Sequence, residues 1–145
     1  MPALPPGQAL SRLASVPVIR LATVSATGQP HVVVTTFAAG EGRIFTAVDH
    51  KPKTTRDLRR LQNIRENPSV ALLADHYEEA WENLWWIRAD GQAQILTDAA
   101  DMAGPIQLLA DRYWQYRENR PEGPVIAITV QRWSGWSWAE PVSIT

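Results

Sequence analysis

Residues 21–37 read L-A-T-V-S-A-T-G-Q-P-H-V-V-V-T-T-F, and their pattern decides the fold. Two segments rich in β-branched residues flank a polar turn, A-T-G-Q, and a proline opens the second segment. Val, Thr and Phe fit the pleated, half-buried surface of a strand, and the glycine marks the turn. The expectation is a strand over residues 16–25 and a second strand from Pro30 onward. A second turn, A-G-E-G, leads into R-I-F-T-A-V at residues 43–48, so three successive strands predict an antiparallel meander.

Outward from this core, Pro5 and Pro6 open a short amphipathic helix with Leu10, Leu13 and Ala14 on one face. A basic helix follows the third strand and stops before Pro68, with Leu58, Leu61 and Ile64 as its buried stripe. S-V-A-L-L-A is a fourth strand. An acidic link, D-H-Y-E-E-A-W-E, precedes a long strand, W-W-I-R-A-D-G-Q-A-Q-I-L-T. Asp98 is placed to cap a helix carrying Met102, Ile106, Leu109, Tyr113 and Tyr116, with Gly104 and Pro105 expected to bend it. P-V-I-A-I-T-V-Q-R-W-S-G-W-S-W closes the chain as one long strand, or two broken near Gly135. Six or seven strands and three helices predict one α+β domain over residues 1–145, mainly antiparallel β, its sheet closing into a small barrel.

Composition narrows the function classes. The chain has 145 residues, a formal charge of −1 and no cysteine, which excludes disulfides and thiolate metal sites. The amino-terminal residues lack the basic start and apolar run of a signal peptide, and no apolar stretch approaches the roughly 20 residues of a membrane span. The expectation is a cytoplasmic domain without a membrane partner. His31, His50 and His76 are too scattered for a metal site. Of seven tryptophans six follow residue 84, and packing or subunit contact is the default role for each.

Residues 51–65, K-P-K-T-T-R-D-L-R-R-L-Q-N-I-R, hold six cationic side chains against one acid. Thr54 and Asp57 have the spacing of a helix N-cap and its capping-box partner. Lys51 and Lys53 would then stand just ahead of a helix start, where unpaired N–H groups already favour an anion. The spacing predicts a phosphate site. Arg56, Arg59 and Arg60 add charge beyond what one phosphate needs, although Arg59 and Arg65 also fit a solvated helix face. Nucleic acid is not the expected partner, because the patch is short, the overall charge is negative and no aromatics interleave with the cations.

The ordered set of motifs resembles the pyridoxamine 5′-phosphate oxidase-like family, whose fold is the split β-barrel that binds flavin mononucleotide, with accessory helices. The likeness rests on L-A-T-V-x-x-x-G-x-P-H-V-V-V-x-x-F, then I-F-T-A-V, K-P-K-T-T-R-D-L and N-P-S-V-A-L-L, then Gly91, Ala93 and Asp98, and a terminal R-W-S-G-W. It spans about residues 10–138, and the basic stretch is most similar to the branch using the deazaflavin coenzyme F-420. The resemblance implies a homodimer with two coenzymes at the interface. It implies phosphate contacts at Lys51 and Lys53 beside Thr54, with Arg56 close by. The coenzyme ring would run along backbone near Val33, Val34, Thr35, Thr46 and Ala47, and Trp136 of a second copy would complete the pocket. Val33 stands where the vitamin oxidase has an arginine, and that enzyme's C-terminal Arg-x-His motif is missing, so pyridoxamine phosphate is not the expected substrate.

Absence of a Ser-His-Asp set or a paired-carboxylate pattern fits chemistry carried by a coenzyme. The leading expectation is an F-420-dependent oxidoreductase passing hydride to an unsaturated small molecule. A flavin mononucleotide enzyme of the same fold, a non-catalytic coenzyme-binding protein, and a small nucleic-acid module are the alternatives. Tyr77, Tyr113 and His50 are the candidate proton donors, and the sequence does not choose among them.

Overall fold

A computed structural model describes residues 6–48 and 58–138. In chain order the elements are α1 Pro6–Ala14, β1 Ile19–Val24, β2 Pro30–Thr35, β3 Ala38–Gly40 and β4 Arg43–Ala47. Then follow α2 Arg59–Glu66, β5 Ser69–His76, β6 Trp85–Leu96, α3 Ala99–Arg112, α4 Trp114–Glu118 and β7 Val125–Ser137. A 3-10 turn at Trp81–Asn83 joins β5 to β6. The seven strands form one antiparallel sheet in the order β2-β1-β5-β6-β7-β4-β3.

The β1–β2 hairpin forms as the sequence predicts, with Ile19 opposite Thr35 and Val24 opposite Pro30. Gly28 takes φ 89° in its turn, a conformation that side chains rarely adopt. The expected three-strand meander does not form. The third strand, β4, pairs with β7 and β3 instead of β2. Only Thr36 and Phe37 separate β2 from β3, yet these strands are the two opposite edges of the sheet. Two residues reach about 7 Å, so the sheet must curl until its edges meet. The result is a barrel split along one seam. Phe37 is fully buried at that crossover and anchors it.

The main core lies inside the curl, built from Ile19, Leu21, Ile44, Leu72, Ile87, Ile126 and Ile128 on inward-facing alternate positions. A smaller cluster around Phe45, Leu109 and Val125 packs α3 against the outside of β4. Ala9 and Leu13 of α1 are buried, whereas Leu10 is 44% exposed and Ala14 is also exposed. The inward face of α1 is thus rotated from the expected one, because Ala9 is small enough to lie against the barrel.

Two further expectations change. Asp98 occupies the N-cap position of α3 but makes no side-chain capping bond. The single helix expected to carry Met102 through Tyr116 instead ends at Arg112, after running through Gly104 and Pro105, and α4 starts afresh at Trp114. The cause is the Tyr113 hydroxyl. It accepts a hydrogen bond from the Phe37 N–H at 3.1 Å, and its own proton faces the carbonyls of Pro17 at 2.8 Å and Phe37 at 3.0 Å. Tyr116 reinforces the seam through a 2.7 Å hydroxyl pair with Thr36. Arg112 donates to the Leu13 and Val16 carbonyls and lies 4.1 Å from the centre of the Phe37 ring. Arg112, Tyr113 and Tyr116, all at the α3–α4 junction, therefore clamp the crossover.

At the C-terminal end β7 is one unbroken strand through Gly135. Its register against β6 slips between Asp90 and Gly91, where Gln131 is the extra residue. A Cβ on Gly91 would meet the Thr129 carbonyl oxygen at 2.3 Å, so only glycine lets the two strands approach here.

Candidate functional site

The split in the sheet creates a fork. Ala38 of β3 pairs with Phe45 of β4, so the chain just before Ala38 leaves the neighbourhood of Thr46 and Ala47 to become β2. Thr35, Thr46 and Ala47 are therefore gathered at the fork by the register. Thr35 and Thr46 are buried, at 6% and 1% exposure. Thr35 donates its hydroxyl to the Thr36 carbonyl at 3.0 Å. The Thr46 hydroxyl is buried with no hydrogen-bond partner. Such orphans are few in native proteins and invite an explanation. Val33 packs against the main core, whereas Val34 points outward and is 58% exposed.

Beyond the fork, the Val48 N–H bonds to the Pro124 carbonyl at 3.0 Å. Lys51, Lys53, Thr54 and Arg56, with His50, lie outside the described residues. The helix that follows starts at Arg59, with Leu58 as its extended N-cap residue and no side-chain capping bond. The expectation that Thr54 caps this helix is therefore corrected. Leu58 packs against the main core, which holds the residue before Arg59 in extended backbone.

Leu61 and Ile64 are buried as the pattern of this helix predicts. Asn63 is buried with them at 1% exposure, and its amide donates to the Thr23 hydroxyl at 3.0 Å. This residue was not legible as a tether, because an amide in a basic helix reads as surface. A cleft of about 550 Å³ runs between α2 and the β1–β2 turn, lined among others by Ser25, His31, Arg59 and Asn63. Arg59 is thus a wall of a cleft, while Arg60 and Arg65 both have interaction partners.

Trp136 is not brought to the fork within one chain. Ala47 pairs with Val125 at the start of β7, and Trp136 lies eleven residues further along that strand, about 35 Å of strand path. It stands opposite Trp86 on the outer face of the sheet. There Trp136 and Trp138 meet edge to face at 6.2 Å, and Trp81 meets Trp138 at 5.9 Å. The same outer face carries Val32, Val34 and Leu73, at 62%, 58% and 38% exposure. Tyr77 is 62% exposed beside Trp86, whereas Tyr113 is consumed by the clamp. Burial raises the Tyr113 phenol above its ordinary value of 10.0, against the opposing pull of the Phe37 N–H.

Among the described residues no group of His, Asp and Glu could hold a metal ion, and no helix is long and apolar enough to cross a membrane.

The curled seven-strand sheet with its clamped crossover defines the split-barrel class. Within it, the pyridoxamine 5′-phosphate oxidase family model matches residues 6–137, and the chain belongs to that family. No curated protein is significantly similar in sequence. Among solved structures, a conserved hypothetical protein of Mycobacterium tuberculosis is similar with TM-score 0.76 and 17% identity, over 93% of this chain and 86% of that one. HutZ, the heme storage protein of Vibrio cholerae, aligns with TM-score 0.70 and 18% identity, over 94% and 95% of the two chains. A FAD-binding protein of Mesorhizobium loti gives 0.65 and 19%, over 92% and 93%. At these identities the likeness establishes the fold.

Proposed function

We propose that this chain is an oxidoreductase that binds a phosphorylated flavin-type coenzyme, F-420 in first place, between two copies of itself. When bound, the coenzyme supplies a hydride-carrying ring carbon, and an unsaturated small molecule accepts the hydride. The observation that most supports a coenzyme at the fork is the buried Thr46 hydroxyl without a protein partner, at a position the family likeness assigns to the ring. Backbone of β2 and β4 around Val33, Val34, Thr35 and Ala47 would orient the ring and exclude water. Lys51 and Lys53, with Thr54 and Arg56, would hold the phosphate. The cationic surplus continuing to Arg59 and Arg60 favours the acidic tail of F-420 over flavin mononucleotide, which remains the second reading.

A second copy is part of the proposal for two reasons. Val32, Val34 and Leu73 are exposed apolar side chains on the outer sheet face, with the Arg20–Asp75 ion pair beside them, a mix that suits a protein interface. Trp136 and the fork lie too far apart along β7 to serve one ligand from one chain. Titration with F-420 and with flavin mononucleotide tests the reading. F-420 fluorescence should be quenched with a Kd at least tenfold below that for the flavin. Lys53→Ala should weaken F-420 binding tenfold or more, because a charged hydrogen bond contributes about 1.5–3 kcal/mol. An unchanged titration curve for that variant removes the anchor. Tight binding without oxidation of reduced coenzyme by any acceptor would leave a sequestering protein instead.

A further inference from the structure

We infer that Asn63 is a positioning residue for the anion end of the proposed coenzyme site: its buried bond to Thr23 fixes the roll of α2, and with it the reach of Arg59. The inference rests on the coenzyme reading above and adds to it a side chain that acts without touching the ligand.

Asn63 and Thr23 are 1% and 3% exposed, and the amide of the first donates to the hydroxyl of the second at 3.0 Å. The other buried side chains of α2 are apolar, Leu61 and Ile64, with Leu58 packed on the core just ahead of the helix. Apolar burial is non-directional and tolerates some rotation of a helix only eight residues long, whereas a hydrogen bond is directional and does not. A buried amide–hydroxyl pair contributes little net stability over an apolar pair of the same shape. What it adds here is one fixed orientation.

That orientation matters at the cleft between α2 and the β1–β2 turn. Arg59 and Asn63 both line it, four residues apart and so only about 40° from each other around the helix. Thr23 stands opposite His31, which lines the facing wall. The Asn63–Thr23 bond therefore joins the two walls and sets how Arg59 addresses the space between them. Side-chain tips lie about 6 Å from a helix axis, so a roll of about 30° carries the Arg59 guanidinium about 3 Å away. A shift of that size breaks a charged hydrogen bond to an anion, whose length is about 2.7–2.9 Å.

Thr23→Val combined with Asn63→Leu replaces the bonded pair by an apolar pair of similar shape. Its urea midpoint should equal or exceed that of the wild type, while F-420 affinity falls about tenfold or more, the loss of one charged hydrogen bond. Arg59→Gln supplies a readout that a purely structural role would not move. It should weaken F-420 binding about fivefold or more in the wild type, and less than about twofold in the apolar-pair background. Thr23→Ser keeps the hydroxyl and should bind as the wild type does. Should the double variant fail to fold, Thr23→Val alone takes its place and should show the same loss. Inorganic pyrophosphate, titrated by calorimetry in parallel, separates this inference from the coenzyme reading. If pyrophosphate binds and F-420 does not, the coenzyme reading falls, and the same fold-changes for pyrophosphate decide the role of Asn63. Full affinity in the folded apolar pair overturns that role, as does an Arg59→Gln loss of equal size in both backgrounds. A wild-type protein that takes up neither ligand overturns both readings.

Discussion

Tyr113→Phe should destabilise the fold by about 2–3 kcal/mol, although it removes a single oxygen atom. The Tyr113 hydroxyl serves Phe37 and Pro17 from the junction of α3 and α4. Its loss leaves the N–H of fully buried Phe37 without an acceptor, at about 1–3 kcal/mol. A further lost hydrogen bond to a carbonyl adds about 0.5–1.5 kcal/mol, partly recovered by water at exposed Pro17. In a domain of this size the sum lowers Tm by about 6–10 °C. The pH dependence gives an independent check. Burial holds the folded-state phenol above its ordinary 10.0. Its contribution is therefore complete below pH 10 and shrinks as pH rises further, where the unfolded chain ionises first. Urea denaturation of both proteins from pH 8 to 11 should show the two stabilities converging above pH 10. A difference under 0.5 kcal/mol at pH 8, or parallel curves up to pH 11, would refute the clamp.

Two glycines should respond in opposite directions. Gly91→Ala drives a Cβ to 2.3 Å from the Thr129 carbonyl oxygen, so a loss of more than about 2 kcal/mol is expected in chemical denaturation. Gly104→Ala has open space within α3 and should gain about 0.5–1 kcal/mol in the same measurement. Thr46→Val removes the orphaned hydroxyl in near-isosteric fashion. Thermal melts should rise by several degrees without coenzyme, while F-420 affinity falls; a variant that gains stability and keeps full affinity would make Thr46 a core residue only.

Local chemistry made the elements legible and left their partners hidden. The strand–turn–strand at residues 21–37 could be read because β-branched runs, a turn glycine and a proline agree within seventeen residues. The path of β4 could not, since its choice of β7 over β2 depends on contacts about eighty residues apart. The same distinction applies to Tyr113. Its spacing continues the helical stripe of Leu109, yet hydrogen bonds to Phe37 and Pro17 draw it out of the helix. At the proposed site, Lys51 and Lys53 stand out in the sequence by charge density, whereas Asn63 reads as surface until the buried Thr23 hydroxyl is seen beside it.

If the fork of one copy and the outer face of the next form one working site, mixing two defective variants restores part of it. A two-fold dimer makes each such site from Lys53 of one copy and Trp136 of the other. In a mixed dimer of Lys53→Ala and Trp136→Ala, one site then inherits both lesions and the other inherits neither. Equal mixing yields half mixed dimers, so about a quarter of all sites become whole. Were each site built within a single copy, every site in the mixed dimer would carry one lesion and none would recover. Binding of F-420, measured after the variants are denatured and refolded together, separates the two arrangements. Recovery near a quarter of the wild-type signal supports the shared site. No recovery, in a sample whose mixed dimers are verified by mass, rejects it, and Trp136 then has no route to the coenzyme.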